Sequence, residues 1–278
     1  MLAHEFMRNA LLAGTFVGLA CGLVGYFVVL RAQVFAGDAL SHVAFTGALG
    51  AAALGLDLLG GVFVATICGG LAIGALGERA RADDVAIGSL FAWTLGLGAL
   101  FLAIFTTQRS GSGNGAAGVR VLFGSIFGLS AHDVHVSMAI ALAAAAMLLA
   151  IARPLLFSSL DEGVAEAQGV PVRALGLLFL ALLGVVAAEA TQAIGALLLL
   201  GLLAAPAGAA LRLTTRPWLG LAVSAALAVG SVWLGLTLAY VVPSIPPSSA
   251  VIGVAVAVYA VALPSSRIVQ GSIESTTR

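Results

Sequence analysis

Lysine is absent from this sequence of 278 residues, because all twelve basic residues are arginine. The phosphate-binding loop G-x-x-x-x-G-K-[ST] needs a lysine that reaches the β- and γ-phosphates of ATP. The chain therefore cannot hydrolyse ATP through such a loop, and any energy from ATP has to come from a partner. The pattern H-E-x-x-H is also missing, which argues against an intramembrane metalloprotease.

Charge is scarce, since only 9% of the residues are charged and 61% are hydrophobic, with a mean hydropathy of +1.15. Soluble domains are about 25% charged, and no soluble core could bury this much apolar surface. The net charge is zero, which gives no indication of nucleic-acid binding. The composition predicts an all-α polytopic membrane protein with one membrane domain over residues 1–278.

Cysteine is limited to Cys21 and Cys68, and both lie in apolar segments. We interpret them as packing or lipid-facing residues, because a disulfide requires a close and specific geometry. The N-terminal residues MLAHEFMRNA lack the cleavage-site pattern of a signal peptide, so the first apolar run is expected to be a retained span.

Apolar runs long enough to cross a bilayer, which takes about 20 residues each, recur along the whole chain. They predict nine membrane-spanning helices, at about 10–30, 34–55, 60–77, 86–106, 134–152, 172–190, 194–211, 218–241 and 248–264. The run Val119–Ser130 is too short to span and could be a re-entrant or interfacial piece, so eight or ten spans stay possible. Pro206 is expected to break the seventh span.

Arginine is distributed unevenly between the two sides of the predicted membrane domain. With the N-terminus outside, only Arg8, Arg109 and Arg120 face outward, and the other nine arginines face the cytoplasm. Basic loops stay in the cytoplasm, so the bias predicts an outer N-terminus and a cytoplasmic C-terminus.

The same orientation makes the polar stretch Ser158–Arg173 cytoplasmic. Its alanine, glutamate and glutamine content predicts a short helix from near Asp161 to Gly169, followed by Pro171. A helix at the membrane face could bind a partner, and an ordinary polar loop is the alternative.

Asp38 and His42 lie inside an otherwise apolar predicted helix, in FAGDALSHVAFTG. Their i, i+4 spacing puts both side chains on one face. A charged aspartate at the centre of a bilayer costs about 2.5–3.5 kcal/mol, so such residues usually face a cavity on an ion path. Such ligands suit zinc, manganese or iron, and a symmetric dimer would supply two of each. Alternatively, Asp38 lies at a helix end and His42 is hydrogen-bonded to a neighbour.

Other polar residues are weaker candidates for metal ligands. His132, Asp133 and His135 occur at a span boundary, where a plain interfacial cluster is the favoured interpretation. Glu189 could line a pore or reach the outer headgroups. Asp84 belongs to a charged loop in which Glu78 and Asp83 accompany two arginines, and mutual charge compensation explains it.

The segment GYFVVLRAQVFAGDALSHVAFTG resembles the permease subunits of the ABC-3 family, the importers of zinc, manganese and iron. Its Gly-Asp-Ala-Leu-Ser-His signature covers residues 37–42. Three more resembling stretches follow in order: DDVAIGSLFA, VLFGSIFGLS, and DEGVAEAQGVPVRALG with QAIGALLLLGLLAAPAGAA. The resemblance therefore covers nearly the whole chain.

The resemblance implies a multi-pass permease in a prokaryotic plasma membrane, with no permanently bound cofactor and no enzymatic activity of its own. The implied partners are a second copy, a cytoplasmic ATP-binding subunit that hydrolyses ATP, and an extracytoplasmic metal-binding protein. The Asp38 and His42 pair matches the family's metal-coordinating positions. A cytoplasmic coupling segment is implied at about 157–171, with the residues Asp161, Glu162, Ala165 and Gly169.

The sequence departs from the family at three places. Thr46 stands where a proline commonly follows the signature, and the paired basic residues after the first span are reduced to Arg31. The predicted outer loop around Gly111–Gly118 is long and glycine-rich. Two other functions stay open. One is a proton-coupled secondary transporter with a relay of Asp38, His42 and Glu189, and the other is a non-transporting membrane scaffold.

Overall fold

The computed structural model describes residues 4–77, 84–109, 124–196 and 199–264. Every regular element in these ranges is helical, with ten α-helices and one 3-10 helix. The α-helices are α1 Glu5–Leu30, α2 Val34–Leu54, α3 Leu58–Leu76, α4 Asp84–Arg109, α5 Ala131–Leu160, α6 Glu162–Ala167, α7 Val172–Ile194, α8 Leu199–Leu213, α9 Pro217–Val241 and α10 Pro247–Ala262. The 3-10 helix Ile126–Gly128 precedes α5.

Nine of these helices correspond to the nine predicted spans, and α6 is the predicted short helix. Six of them, α1, α3, α4, α5, α7 and α9, are long and apolar enough to cross a membrane, and α8 and α10 are shorter apolar helices. Helix α2 has 21 residues but carries the polar side chains of Asp38, Ser41 and His42, which lower its hydropathy. The prediction of an all-α polytopic membrane fold is confirmed.

Helices α1 and α7 form the centre of the bundle. Phe27 and Phe179 are both buried there, and their rings meet edge to face with centroids 6.3 Å apart. Helix α4 lies at the periphery and packs mainly against α2. Its Trp93 is 66% exposed in the isolated chain, as expected where lipid or another protein covers an apolar surface.

Glycine permits the closest helix crossings in this bundle. A Cβ atom on Gly25 of α1 would lie 2.1 Å from the carbonyl oxygen of Leu203 on α8. Helices α3 and α7 approach similarly, because a Cβ on Gly70 would lie 2.3 Å from the carbonyl oxygen of Leu180. The two backbones therefore touch at these points, which is the usual way for small residues to pack membrane helices.

Two details around the seventh predicted span are wrong. Helix α7 extends to Ile194, so that residue ends the sixth span instead of beginning the seventh, and Gly195 follows with φ 98°. The polar residues Thr191 and Gln192 resemble the end of a span, but the helix continues past them, and Thr191 is buried within the bundle. The predicted break at Pro206 is also wrong, because α8 continues through this buried proline. A proline removes one backbone hydrogen bond, and packing on all sides holds the helix together.

The segment before α5 is only partly described. The 3-10 helix Ile126–Gly128 packs against α1, and Ile126 is buried. Residues 119–123 of the predicted re-entrant piece, and the glycine-rich stretch 110–118, lie outside the described residues. Helix α5 then begins with a capping box, in which the Ser130 and Asp133 side chains each bond the other's backbone N–H.

Candidate metal site

Asp38 and His42 lie on one face of α2, as their spacing predicts, and both are half-buried. The face is turned toward α4. The imidazole of His42 packs edge to face on the ring of Phe91, with centroids 4.9 Å apart and planes 82° apart. This contact shows that the face of α2 with Asp38 and His42 packs toward α4.

A cavity of about 360 Å³ opens between α2 and α4 beside Asp38. Asp84, the first residue of α4, brings a second carboxylate to its lining, and the remaining wall is apolar or glycine. Phe91 belongs to this wall and contacts His42, so the imidazole lies next to the cavity one helical turn beyond Asp38. The arrangement is an open and largely apolar groove with two carboxylates, and these carboxylates can attract a cation.

Polar contacts along α2 hold the candidate residues in place. The Ser41 hydroxyl donates to the backbone carbonyl of Asp38 at 2.7 Å. Thr46, which replaces the family's proline, donates from its buried Oγ1 to the carbonyl of Thr94 on α4 at 2.9 Å. This bond joins the two helices that form the cavity. Thr46, the residue that departs from the family pattern, therefore adds a contact between α2 and α4.

One chain does not present a closed set of ligands. Within the four described ranges, no three His, Cys, Asp or Glu side chains lie close enough together to hold a metal ion. Structural transition-metal sites commonly use four ligands. The pair on α2 supplies two side chains of the kinds that bind such metals, fewer than these sites commonly use.

Sequence reasoning missed Asp84 as a member of this site. It assigned Asp84 to charge compensation in a loop, but Asp84 begins α4 and lines the cavity with Asp38. The loop partners considered for it, residues 78–83, lie outside the described residues. The available signal was that Asp84 belongs to DDVAIGSLFA, the second stretch of the family resemblance.

Gly88 provides a test of the cavity, because it lies in the wall and a Cβ there would meet no atom within 4 Å. We expect Gly88→Leu to fold normally, because the position is open, and to reduce metal uptake by about tenfold or more, because the added side chain would occupy space in the cavity beside Asp38. Uptake of radioactive metal into cells measures the effect. Gly96→Leu is the matched control, because Gly96 is on the same helix, is equally open and lies outside the cavity wall. Equal uptake by the two variants would contradict a path through this cavity.

Arg31 connects the start of α2 to the end of α5. Its side chain is 4% exposed, and Nη1 donates to the Ser159 hydroxyl at 3.3 Å. Its guanidinium also lies 5.7 Å from the ring centroid of Phe179 on α7. The next residue, Ala32, has φ 55°, which is uncommon for a residue with a side chain. The turn between α1 and α2 is thus held by buried contacts to α5 and α7.

The four candidate coupling residues have different positions on α6. Asp161 is the N-cap, where its Oδ1 accepts from the N–H of Val164 at 2.9 Å, and Gly169 ends the turn with φ 79°. Ala165 is fully buried against the chain's own helices, while Glu162 is half-buried. Asp161, Ala165 and Gly169 therefore shape and anchor α6, and other side chains form its outer surface.

The weaker candidates separate into two groups. Glu189 is only 6% exposed, and it lines a small pocket together with His132 and Asp133. His135 lies outside that pocket, and its Nδ1 is 2.6 Å from the carbonyl oxygen of Ala131. Neither group contributes to the cavity beside Asp38.

Two known proteins and one solved structure resemble this chain over most of its length. The chain is 33% identical over 217 residues to the manganese transport system membrane protein MntC of Halalkalibacterium halodurans, covering 78% of this chain and 72% of the relative. It is 28% identical to a probable iron transport system membrane protein of Haemophilus influenzae, over 86% of each chain. Its fold matches the solved structure of PsaBC from Streptococcus pneumoniae in complex with Fab, with a TM-score of 0.82, 26% identity, and coverage of 97% of this chain and 96% of that one.

The family described as the ABC 3 transport family matches residues 3–266. This match includes the signature with Asp38 and His42, the cavity residues of α4, and α6. The sequence match and the similarity of fold lead to the same conclusion. The chain belongs to the ABC 3 transport family.

Proposed function

We propose that this chain is the permease subunit of an ATP-binding cassette importer for a divalent transition-metal ion, with manganese as the first candidate. The observation that carries the proposal is the Asp38 carboxylate on α2, beside a cavity and one turn from His42. The named relatives transport manganese or, in one case, iron. Carboxylate and imidazole ligands suit these ions, and zinc and iron stay competitors that a transport assay has to separate.

The metal path lies between two copies of the chain. Each copy supplies one aspartate and one histidine, so a two-fold dimer assembles four ligands on its axis. The exposed face of α4 and an apolar groove of about 660 Å³ between α2, α3 and α4 offer a surface for the second copy. Trp93 lines that groove and is 66% exposed in the isolated chain.

Energy from ATP enters through the segment 157–171. Helix α6 in this segment exposes Val164 by 46%, and Leu160 just before it is 69% exposed, so apolar side chains are available to a partner. Arg31 bonds Ser159 of the segment and lies three residues before α2 begins. A displacement of α6 by an ATP-binding subunit therefore has a short mechanical route to the helix that carries Asp38.

The proposed coupling to ATP hydrolysis also implies an orientation in the membrane. A partner that hydrolyses ATP is cytoplasmic, so α6 and the turn at Arg31 lie on the cytoplasmic side of the plasma membrane. The N-terminus then lies outside and the C-terminus inside, in agreement with the arginine bias. An extracytoplasmic metal-binding protein delivers the ion to the opposite end of the bundle.

Val164 allows a test of the coupling surface. We expect Val164→Glu to reduce co-purification of the ATP-binding subunit and ATP-driven uptake by about tenfold or more, since burying an unpaired charge in an interface costs several kcal/mol. Pull-down of the tagged permease measures the first effect. Gln168→Glu adds the same charge to an exposed position at the end of the same helix and is the matched control. Undiminished recruitment by Val164→Glu would show that this face of α6 is not the contact.

Reconstituted vesicles test the proposed function directly. The permease with its ATP-binding subunit and the metal-binding protein is expected to accumulate radioactive manganese only when ATP is supplied. Unlabelled manganese, iron and zinc, added separately, identify the preferred ion by competition. Uptake without the ATP-binding subunit would replace this proposal by a proton-coupled transporter. A chain that neither bound metal nor recruited an ATP-binding partner would be a scaffold.

A further inference from the structure

A small polar pocket lies between the beginning of α5 and the end of α7, away from the Asp38 cavity. Its volume is about 50 Å³, several times the roughly 10–15 Å³ needed to hold one water molecule. His132 at the rim is exposed, and Glu189 on the opposite wall is 6% exposed. The pocket thus leads from an accessible imidazole to a buried carboxylate.

The inner wall of the pocket holds polar atoms that the protein satisfies poorly. Ser137 is 6% exposed, and its hydroxyl lies close enough to the Glu189 carboxylate to donate to it, although the contact is not well aligned. The Nε2 atom of Gln192 is also buried without a partner. Buried polar groups are normally satisfied, so these atoms indicate an occupant that the protein itself does not supply.

The charges of the residues that line the pocket favour a cation over an anion as its occupant. The described lining includes the acidic residues Glu189 and Asp133, and none of its side chains is lysine or arginine. Asp133 uses its Oδ2 to accept from the backbone N–H and hydroxyl of Ser130, so that oxygen is engaged in the helix cap. Glu189 is therefore the carboxylate at which a bound cation would have the largest effect, because an ionised carboxylate buried without a counter-charge is costly.

The pocket and Asp38 belong to opposite ends of the bundle. Helix α7 leaves the coupling segment at Val172, and Glu189 lies about 25 Å further along it at 1.5 Å per residue. Asp38 lies only about 6 Å along α2 from its start at Val34, the end that Arg31 ties to the coupling segment. With the coupling segment in the cytoplasm, as proposed above, the pocket lies on the side of the membrane from which an imported ion arrives.

We propose that this pocket is a second cation site, in which Glu189 binds a partly hydrated divalent metal ion near the outer face before the ion moves to Asp38 and His42. Ser137 supplies a hydroxyl oxygen, and Gln192 supplies its amide oxygen after rotation of the amide group. His132 at the rim attracts or releases the ion as an exchangeable ligand. Oxygen ligands and retained water suit manganese better than the softer ions. The assignment of this ion as cargo rests on the proposed function.

Equilibrium dialysis of the purified full-length chain against radioactive manganese tests the site. The double variant Asp38→Ala/His42→Ala removes the inner site, and we expect it to keep one manganese site per chain. Adding Glu189→Gln, which preserves size but removes charge, is expected to weaken that remaining affinity by about tenfold or more. Adding Glu189→Asp, which keeps the charge, is expected to preserve most of it. Glu166→Gln, on the exposed surface of α6, is the matched control and is expected to change nothing.

The outcomes separate this site from the function proposed above. If the double variant binds no manganese, or if Glu189→Gln leaves its affinity unchanged, the outer site is wrong, and uptake through Asp38 and His42 is unaffected by that result. If the wild-type complex fails to transport metal while Glu189→Gln still abolishes binding, the site stands and the transport proposal fails. If Glu189→Gln does not fold, Ser137→Ala in the Asp38→Ala/His42→Ala background tests the site instead. An unchanged affinity overturns the site, and a loss of about threefold or more supports it.

Discussion

Asp38→Ala is expected to reduce metal uptake by about a hundredfold or more while the chain still inserts, dimerises and recruits its ATP-binding subunit. The carboxylate lies at a cavity and is half-buried, and its own side chain is not part of the bond that ties Thr46 of α2 to Thr94 of α4. Removing it therefore removes a metal ligand without removing the contacts that hold the helices. Uptake of radioactive manganese, normalised to permease in the membrane, measures the effect.

Asp57→Asn is the control for loss of a carboxylate. Asp57 caps α3 by accepting from the N–H of Gly60 at 2.7 Å, and asparagine retains that role without the charge. We expect uptake by this variant to equal that of the wild type. Normal uptake by Asp38→Ala would reject the proposed path.

His42→Ala extends the same argument to the imidazole. If Asp38 and His42 bind the same ion, the double variant should be no worse than Asp38→Ala alone, because a site can be lost only once. Additive losses would mean that the two residues act at separate steps.

Gly25→Leu is expected to prevent formation of a stable permease, because α1 and α8 touch where this glycine lies. A Cβ would be 2.1 Å from the carbonyl oxygen of Leu203, and backbone cannot move aside as a side chain can. Overpacking of this kind costs about 1–3 kcal/mol and occasionally more, and a backbone clash at the centre of the bundle belongs at the upper end. The yield of monodisperse protein after detergent extraction and its thermal unfolding measure the loss.

Gly230→Leu on α9 is the matched control, since a Cβ there meets nothing within 4 Å. We expect its yield and melting temperature to be close to those of the wild type. If Gly25→Leu behaved like Gly230→Leu, the close crossing of α1 and α8 would be wrong. If neither variant gave stable protein, leucine would be harmful at any glycine of this bundle.

The residues that sequence reasoning found most easily were those that contradict their surroundings. Asp38 and His42 are polar in an apolar helix, and the helical period alone places them on one face. Asp84 escaped notice because its neighbours in the sequence are charged, so a carboxylate there needs no explanation. Its proximity to Asp38 depends on how α2 packs against α4, and hydropathy contains no information about that packing.

Helix boundaries also differ in whether nearby residues or packing between helices determine them. The start and end of α6 follow from Asp161, Gly169 and Pro171, because capping and turn residues act locally. The end of α7 at Ile194 was missed, because the polar pair Thr191 and Gln192 resembles the end of a span although the helix continues past it. Pro206 gave a strong local signal for a break, and burial on both sides of α8 overrode it.

The sequence by itself determined that the chain crosses the membrane about nine times and that it cannot bind ATP through a lysine-containing loop. It also predicts that Asp38 and His42 on α2 are a metal-ligand pair. These conclusions rest on composition and on spacing within one helix, which act over short distances along the chain. Only the tertiary structure decided which distant residues meet. It brought Asp84 to the cavity, Arg31 to Ser159 at the end of α5, and His132 and Glu189 to one pocket, because contacts between helices depend on where small residues allow close approach.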